Sequence, residues 1–280
     1  MAKKKPVLAI SYDFDGTLAP GNMQEYDFVP AVGMTTKEFW NEVGTLTKKH
    51  DADQILMYMM HMLRKADVAE VPIRKQDFQN FGKSVALFDG VRDWFKRIND
   101  YGKSRGLIIE HYIISSGNKE MIEGTPIAKE FKAIYASSFV YDHHGIAKWP
   151  ALAINYTTKT QFLFRINKGI LNVYDNKKVN QYVPLEERDV PFQRMIFIGD
   201  GETDIPCFRL VKNQGGHAIA VYKPNTKGTK QKAATLIKEG RVNFTAPANY
   251  CEDHEIDKIV KGIIDKVAAE VNLQHLGNKG

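Results

Sequence analysis

The stretch AISYDFDGTLAP, residues 9–20, decides how the rest of the chain is read. An apolar run, residues 7–10, leads into two aspartates one residue apart, Asp13 and Asp15, followed by Gly16 and Thr17. Asp followed by Gly is ordinary turn chemistry, so a capped turn is the plain reading of the pair. Two further runs argue against it. RMIFIGDGETD, residues 194–204, is an apolar run that stops at Asp200 and Asp204, and residues 107–114 are apolar and β-branched up to the sequence SSGN at 115–118. Three strands that end in polar clusters, two of them acidic, point to a site rather than to three unrelated turns.

Outward from these runs, strands alternate with helices. HAIAVY, residues 217–222, is a fourth strand, and residues 89–106 place Val91, Trp94, Phe95 and Ile98 on one helical face. Residues 158–174 read as helix, residues 142–145 (DHHG) as the turn of a hairpin, and the C-terminal region as helix from Asp253 or Glu255 to about Val271. This alternation predicts an α/β fold with a doubly wound parallel sheet covered on both faces, with its site at the carboxyl ends of the strands. Between the first and second strands, residues 19–35 (APGNMQEYDFVPAVGMT) are rich in Pro and Gly and read as linker and loop. Two helical patterns follow, one with Thr36 as N-cap and one opening near Asp51 or Asp53, and then a third at residues 73–85. The methionines of the second, Met57, Met59, Met60 and Met62, read as packed core side chains. The expected organisation is a core of residues 1–20 and 86–280 with a small helical domain at 21–85.

The 280 residues are 43% hydrophobic and 26% charged, ordinary for a globular protein. Two cysteines far apart, Cys207 and Cys251, make no disulfide framework and suit a reducing compartment. The N-terminus has no long apolar region of a signal peptide, and no segment is long enough to span a bilayer, so a cytoplasmic location without membrane contact is expected. Net charge is +6 and the pI about 9.0. Lysines are dense at residues 3–5, read as a solvated tail, and at 223–238. A basic balance fits either nucleic acid or anionic small substrates. The lack of an RNA-binding motif with aromatic residues beside the lysines argues against nucleic acid. The sequence leaves the oligomeric state open.

If the sheet is parallel, Asp13, Asp15, Ser115, Asp200 and Asp204 share one edge. Four carboxylates there would repel one another, which a divalent cation relieves; a set of hard oxygen donors suits magnesium. Gly16, Gly117, Gly199 and Gly201 let the backbone approach a ligand closely. DFDGT, ISSG, a downstream lysine and GDGETD, in this order over residues 7–222, resemble the four motifs of the haloacid dehalogenase superfamily. The helical insert between the first two motifs is similar to the small cap of the phosphoserine-phosphatase-like branch.

That resemblance implies roles. Asp13 would be the nucleophile that forms an aspartyl-phosphate, and Asp15 the acid that protonates the leaving alkoxide and then activates water. Asp13, the backbone carbonyl of Asp15, Asp200 and Asp204 would attend magnesium, Asp204 directly or through water. Ser115, and backbone N–H groups near Phe14 and Ser116, would hold phosphoryl oxygens. Of three lysines between the second and fourth motifs, Lys159 stands where a helix begins, Lys168 near the end of that helix, and Lys148 in the hairpin; Lys159 is preferred for the phosphate site. An aspartate at position 15 implies phosphomonoester hydrolysis of a small phosphorylated metabolite, or phosphotransfer or mutase chemistry if a substrate hydroxyl replaces water. A binding protein without turnover is the reading from another class. Asn22, Gln24 and Glu25 are candidate substrate contacts. His143 and His144 read as a solvated turn rather than a metal site, and Cys207 as a buried small side chain.

Overall fold

The computed structural model describes residues 5–277. Seven strands form one sheet: β1 (Val7–Tyr12), β2 (Ile108–Asn118), β3 (Ala133–Tyr141), β4 (Ala147–Leu152), β5 (Met195–Gly199), β6 (His217–Tyr222) and β7 (Phe244–Pro247). Their order is β4-β3-β2-β1-β5-β6-β7. Every neighbouring pair is parallel except β3 and β4, which are antiparallel. The helices are α1 (Phe28–Ala31), α2 (Thr36–His50), α3 (Gln54–Val68), α4 (Lys75–Gly82), α5 (Val91–Ser104), α6 (Lys119–Gly124), α7 (Thr158–Lys168), α8 (Asn176–Val179), α9 (Ile205–Asn213), α10 (Thr229–Lys238) and α11 (Glu255–Gly277).

The central strand β1 is buried along its whole length, as a strand covered on both faces must be. Leu8, Ile10 and Tyr12 face one apolar cluster, with side chains from α2, α3, α5 and α11; Val7 and Ala9 face a second, with α7 and α9. The fold is the doubly wound α/β sheet that the alternating pattern predicts. Met57, Met59 and Met62 are buried in the first cluster, so that cluster spans the helical segment after β1 and one face of the sheet.

Several local expectations are corrected. Residues 19–35 are not open linker: Met23, Phe28 and Val29 are buried, and Phe28 packs against Phe78 and Phe81. Thr35, not Thr36, caps α2, because its hydroxyl accepts from the Glu38 N–H while the Glu38 carboxylate accepts from the Thr35 N–H. Asp53 caps α3 by accepting from the N–H groups of Ile55 and Leu56. β2 runs on through SSGN to Asn118 with a register shift against β3, where the sequence pattern stops it at Ile114. α7 ends at Lys168 rather than at residue 174, since Gly169 takes a left-handed conformation at its C-cap and turns the chain out. The hairpin turn is as read: Asp142 Oδ1 accepts from the N–H groups of His144 and Ile146, and both histidines are exposed. Lys3 and Lys4 of the expected tail lie outside the described residues. No helix among the described residues is long and apolar enough to cross a membrane.

Behind the end of β1 lies a buried polar chain. Trp94 Nε1–H donates to the Tyr12 hydroxyl (2.8 Å), which meets His111 Nδ1 (3.0 Å), and His111 Nε2 meets Asn99 Oδ1 (3.0 Å). With Tyr12 accepting from Trp94, its own proton goes to Nδ1, which fixes His111 as the Nε2–H tautomer. Burial pushes the His111 pKa down to about 3. The unfolded chain, with a histidine pKa of about 6.5, then binds the extra proton first as pH falls. The His111 contribution to stability is complete above about pH 6.5 and is lost as pH falls towards the folded value. Denaturant titrations between pH 7 and 4 should therefore show a steeper loss for the wild type than for His111→Gln; parallel curves would refute the neutral buried imidazole.

Candidate active site

The parallel order β2-β1-β5 brings the ends of these three strands together. The Asp13 N–H donates to the Ile198 carbonyl (2.9 Å), which carries the β1–β5 ladder up to the first carboxylate. The chain then turns tightly: the Phe14 carbonyl accepts from the N–H groups of Leu18 (2.9 Å) and Ala19 (3.1 Å), and the Gly16 N–H donates to the Ala19 carbonyl (2.7 Å). Gly16 has φ of +74°, and a Cβ there would lie 2.1 Å from Asp200 Oδ2. The glycine of DFDGT is thus required by both backbone conformation and the approach of the fourth-motif carboxylate. Two similar contacts recur. A Cβ on Gly117 would lie 2.9 Å from Asp15 Oδ2, and one on Gly199 would lie 2.3 Å from Asp204 Oδ2.

Asp13, Asp200 and Asp204 each offer a carboxylate oxygen, and these lie within 4.8 Å of one another. Asp13 and Asp204 are buried, whereas Asp200 is open to solvent. The Lys159 ammonium, fully buried, sits 2.9 Å from Asp13 Oδ2 and 2.7 Å from Asp204 Oδ1. Burial alone would strip its proton; the charges of Asp13 and Asp204 outweigh burial and hold the ammonium above its usual value. The remaining oxygens of the pair are also engaged. Asp13 Oδ1 accepts from the Phe14 N–H (2.7 Å), and Asp204 Oδ2 accepts from the Asp200 (3.1 Å) and Gly201 (3.4 Å) N–H groups. Asp204 therefore clamps both Lys159 and the loop that presents Asp200. Burial pushes the Asp204 carboxyl up, against the opposing pull of Lys159. The Asp200 carboxyl is raised by desolvation among protein atoms and then by the charges of Asp204 and Asp13. A donor set of oxygens alone, in which one carboxylate faces solvent and is crowded by two others, fits a hard divalent cation such as magnesium.

Asp15 lies apart from the lysine. Its Oδ1 accepts from the Met23 N–H (2.9 Å), and its pKa is raised well above the ordinary range by burial and then by the charge of Asp13, with the Met23 bond opposing. Its side chain is not among the three grouped carboxylates. Ser115 is buried and its Oγ accepts from the Gly117 N–H (3.1 Å); Ser116 Oγ is buried and has no partner among the described residues. The other two lysines are committed elsewhere. Lys148 pairs with Asp142 (3.3 Å), and Lys168 donates to the carbonyls of Val179 and Gln181 (both 2.7 Å). Of the candidate substrate contacts, Glu25 Oε1 already accepts from Asn22 Nδ2 (2.6 Å) and Trp40 Nε1 (2.8 Å), and Gln24 is buried. Cys207 is a buried free cysteine.

Tyr58 is a residue that pattern reading passed over. It is buried in the methionine-rich α3, and its hydroxyl donates to the Ser116 carbonyl (2.7 Å), tying the helical segment to the end of β2. Nothing local marks it, because its partner lies 58 residues away. A second tie is Asn155 Nδ2 donating to Asp53 Oδ2 (2.5 Å), just before the helix that carries Lys159.

With this geometry in view, the comparisons with known proteins are specific. Residues 10–209 match the model of the haloacid dehalogenase-like hydrolases, and the chain belongs to that family. Along 97% of its length it is 29% identical to a protein of Borreliella burgdorferi described as uncharacterized, and it covers all of that protein. Its fold is similar to that of a haloacid dehalogenase family hydrolase from Salmonella enterica serovar Typhi (TM-score 0.56, 15% identity, 92% of this chain and 72% of that one). It is also similar to a phosphoserine phosphatase in apo form (TM-score 0.54, 16% identity, 91% and 98%) and to one holding an analogue of the phospho-aspartyl intermediate (TM-score 0.52, 15% identity, 92% and 99%).

Replacing Lys159 by Met leaves Asp13 and Asp204 buried without their cation. Loss of one partner from a buried ionic cluster costs about 3–5 kcal/mol. Chemical denaturation at neutral pH should show a loss of that order, shrinking in acid, where the two carboxylates can take up protons. A loss below about 1 kcal/mol, the size of a surface pair, would contradict the buried bridge.

Proposed function

We propose that this protein is a magnesium-dependent phosphomonoester hydrolase that acts on a small phosphorylated metabolite through an aspartyl-phosphate on Asp13. The observation that carries the reading is the division of labour between two aspartates two positions apart. Asp13 is in ionic contact with Lys159 at 2.9 Å, while Asp15, two residues on, accepts from the Met23 N–H and makes no ion pair with the lysine among the described residues. One carboxylate is bound to the buried ammonium, and the other, raised by burial, is left free to carry a proton.

In the proposed reaction, an Asp13 oxygen attacks phosphorus as the bond from phosphorus to the ester oxygen breaks. Asp15 gives its proton to the departing alkoxide. Water then attacks the phosphorus of the aspartyl-phosphate, Asp15 takes the water's proton back, and the bond to Asp13 breaks to release inorganic phosphate. Lys159 holds Asp13 in place. Ser115, and the N–H groups near Phe14 and Ser116, are the groups to hold phosphoryl oxygens. Asp13, Asp200 and the Asp15 carbonyl are the groups to hold magnesium, with Asp204 behind them; the ion supplies charge neutralisation between an anionic nucleophile and an anionic ester.

Phosphate release from a panel of phosphate esters, with magnesium and with chelator, tests the reading. Release that depends on the metal is expected, and transfer only between organic molecules would refute hydrolysis. Asp13→Asn should abolish turnover. Asp15→Asn should slow alkyl phosphates by about 10²–10⁴-fold, the usual worth of a general acid, and nitrophenyl phosphate much less in the first step, because nitrophenolate leaves without a proton. Equal losses on both esters in single-turnover measurements would remove Asp15 as the acid.

A further inference from the structure

One segment carries a surplus of positive charge at least as large as that of the whole chain. Residues 205–238 hold seven basic residues, Arg209, Lys212, Lys223, Lys227, Lys230, Lys232 and Lys238, and no acidic one. These seven out of 39 leave 32 basic against 33 acidic residues in the remainder, so the rest of the chain is close to neutral and the whole excess comes from this segment. Four of the lysines, Lys223, Lys227, Lys230 and Lys232, are exposed and follow β6 within ten residues. Their ammonium groups make no ion pair and no hydrogen bond among the described residues.

Their position matters more than their number. β6 lies next to β5 and runs parallel to it, with Gly199 opposite Ala220. Lys223 therefore leaves the sheet on the edge that carries Asp200. It stands two strands from Asp13, a lateral step of about 10 Å at the usual strand spacing. Asn225 and Gly228, both with positive φ, turn the chain from β6 into α10, so Lys227 and Lys230 lie in the connection that leaves this edge and the first turn of that helix. The flanking acids are Glu202, in the loop after β5, and Glu255, whose charge reaches Tyr222.

We infer that the four lysines form a subsite for a second anionic group of the substrate, beside the reacting phosphate on the same edge of the sheet. The preferred substrate class is then a small phosphomonoester with a second phosphate or comparable anion at its far end. The inference rests on the hydrolase reading above. Unpaired like charges beside a reaction centre raise the capture rate of anionic ligands by ten- to a thousandfold, and salt weakens the effect.

A matched pair of probes tests it: a hexose 1,6-bisphosphate and the hexose 6-monophosphate, whose difference is the second phosphate alone. The readout is the ratio of their kcat/KM values in the wild type and in a variant with Lys223→Gln, Lys227→Gln, Lys230→Gln and Lys232→Gln. Because each ratio is internal to one protein, a general loss of folded enzyme cancels. The wild-type ratio should exceed the variant's by about tenfold or more at low ionic strength and converge on it at high salt. Equal ratios would overturn the subsite. If neither ester releases phosphate, the hydrolase reading fails for them, and calorimetric binding of the bisphosphate decides the subsite: binding weakened in the variant supports it, and equal binding removes it. A 5′-phosphorylated RNA oligonucleotide bound more tightly than the bisphosphate, with the preference lost in the variant, would assign the lysines to nucleic acid and also overturn it.

Discussion

The rest of the structure depends on a lysine with no water around it. Among the described residues, Lys159 has its charge balanced by Asp13 from the end of β1 and Asp204 from the turn after β5. A buried ammonium is tolerated only with such partners, and each buried carboxylate equally needs the ammonium. The three groups come from three elements: two adjacent parallel strands and a helix packed on one face. They meet only if β1 and β5 are neighbours in the observed register and α7 lies against that face. Fold and site are therefore one constraint here. An error in strand order would leave charges stranded in the interior, at a cost comparable to much of a domain's net stability.

Around this centre, the acidic side chains rest on glycines. Asp200 lies over Gly16, Asp15 beside Gly117 and Asp204 beside Gly199. In each case a Cβ would meet the carboxylate at less than 3 Å. Carboxylates that repel one another are held close by removing the atoms that would keep them apart, and backbone N–H groups then take the lone pairs that face inward. Asp204 spends both oxygens this way, on Lys159 and on two N–H groups, which leaves Asp200 as the acid that faces solvent.

Much of this was legible in the sequence because it repeats. Apolar runs that stop at DFDGT, SSGN and GDGETD mark three strands and one shared edge, and Lys159 stands at the start of a helix from which it can reach that edge. What escaped has no local signature. β7 is four residues long and ends in proline, too short to show a period. α10 buries only Ala233 fully, so it presents no apolar stripe. Residues 19–35 look like linker because prolines and glycines recur in them without an apolar period, yet Met23, Phe28 and Val29 are buried through contacts with distant elements. The division of roles between Asp200 and Asp204 is set by which lone pairs the backbone has already taken, and composition does not record that.

The helical segment after β1 is bound to this site by more than apolar packing. Tyr58 holds the Ser116 carbonyl, Asp53 holds Asn155 ahead of α7, and the Ala147 N–H donates to the Ile73 carbonyl at the edge of β4. Two of these ties end next to residues assigned to the phosphate site: Ser115 and Ser116 in one case, Lys159 in the other. The turn of Met23–Glu25 adds a third link, since its first N–H is the donor to Asp15. Separating the segment from the sheet would break bonds to Asp15 and to the end of β2, besides exposing part of a shared apolar cluster. The helical segment and the carboxylate proposed as the acid are thus linked through the same atoms, so the position of Asp15 depends on the segment's contact with the sheet.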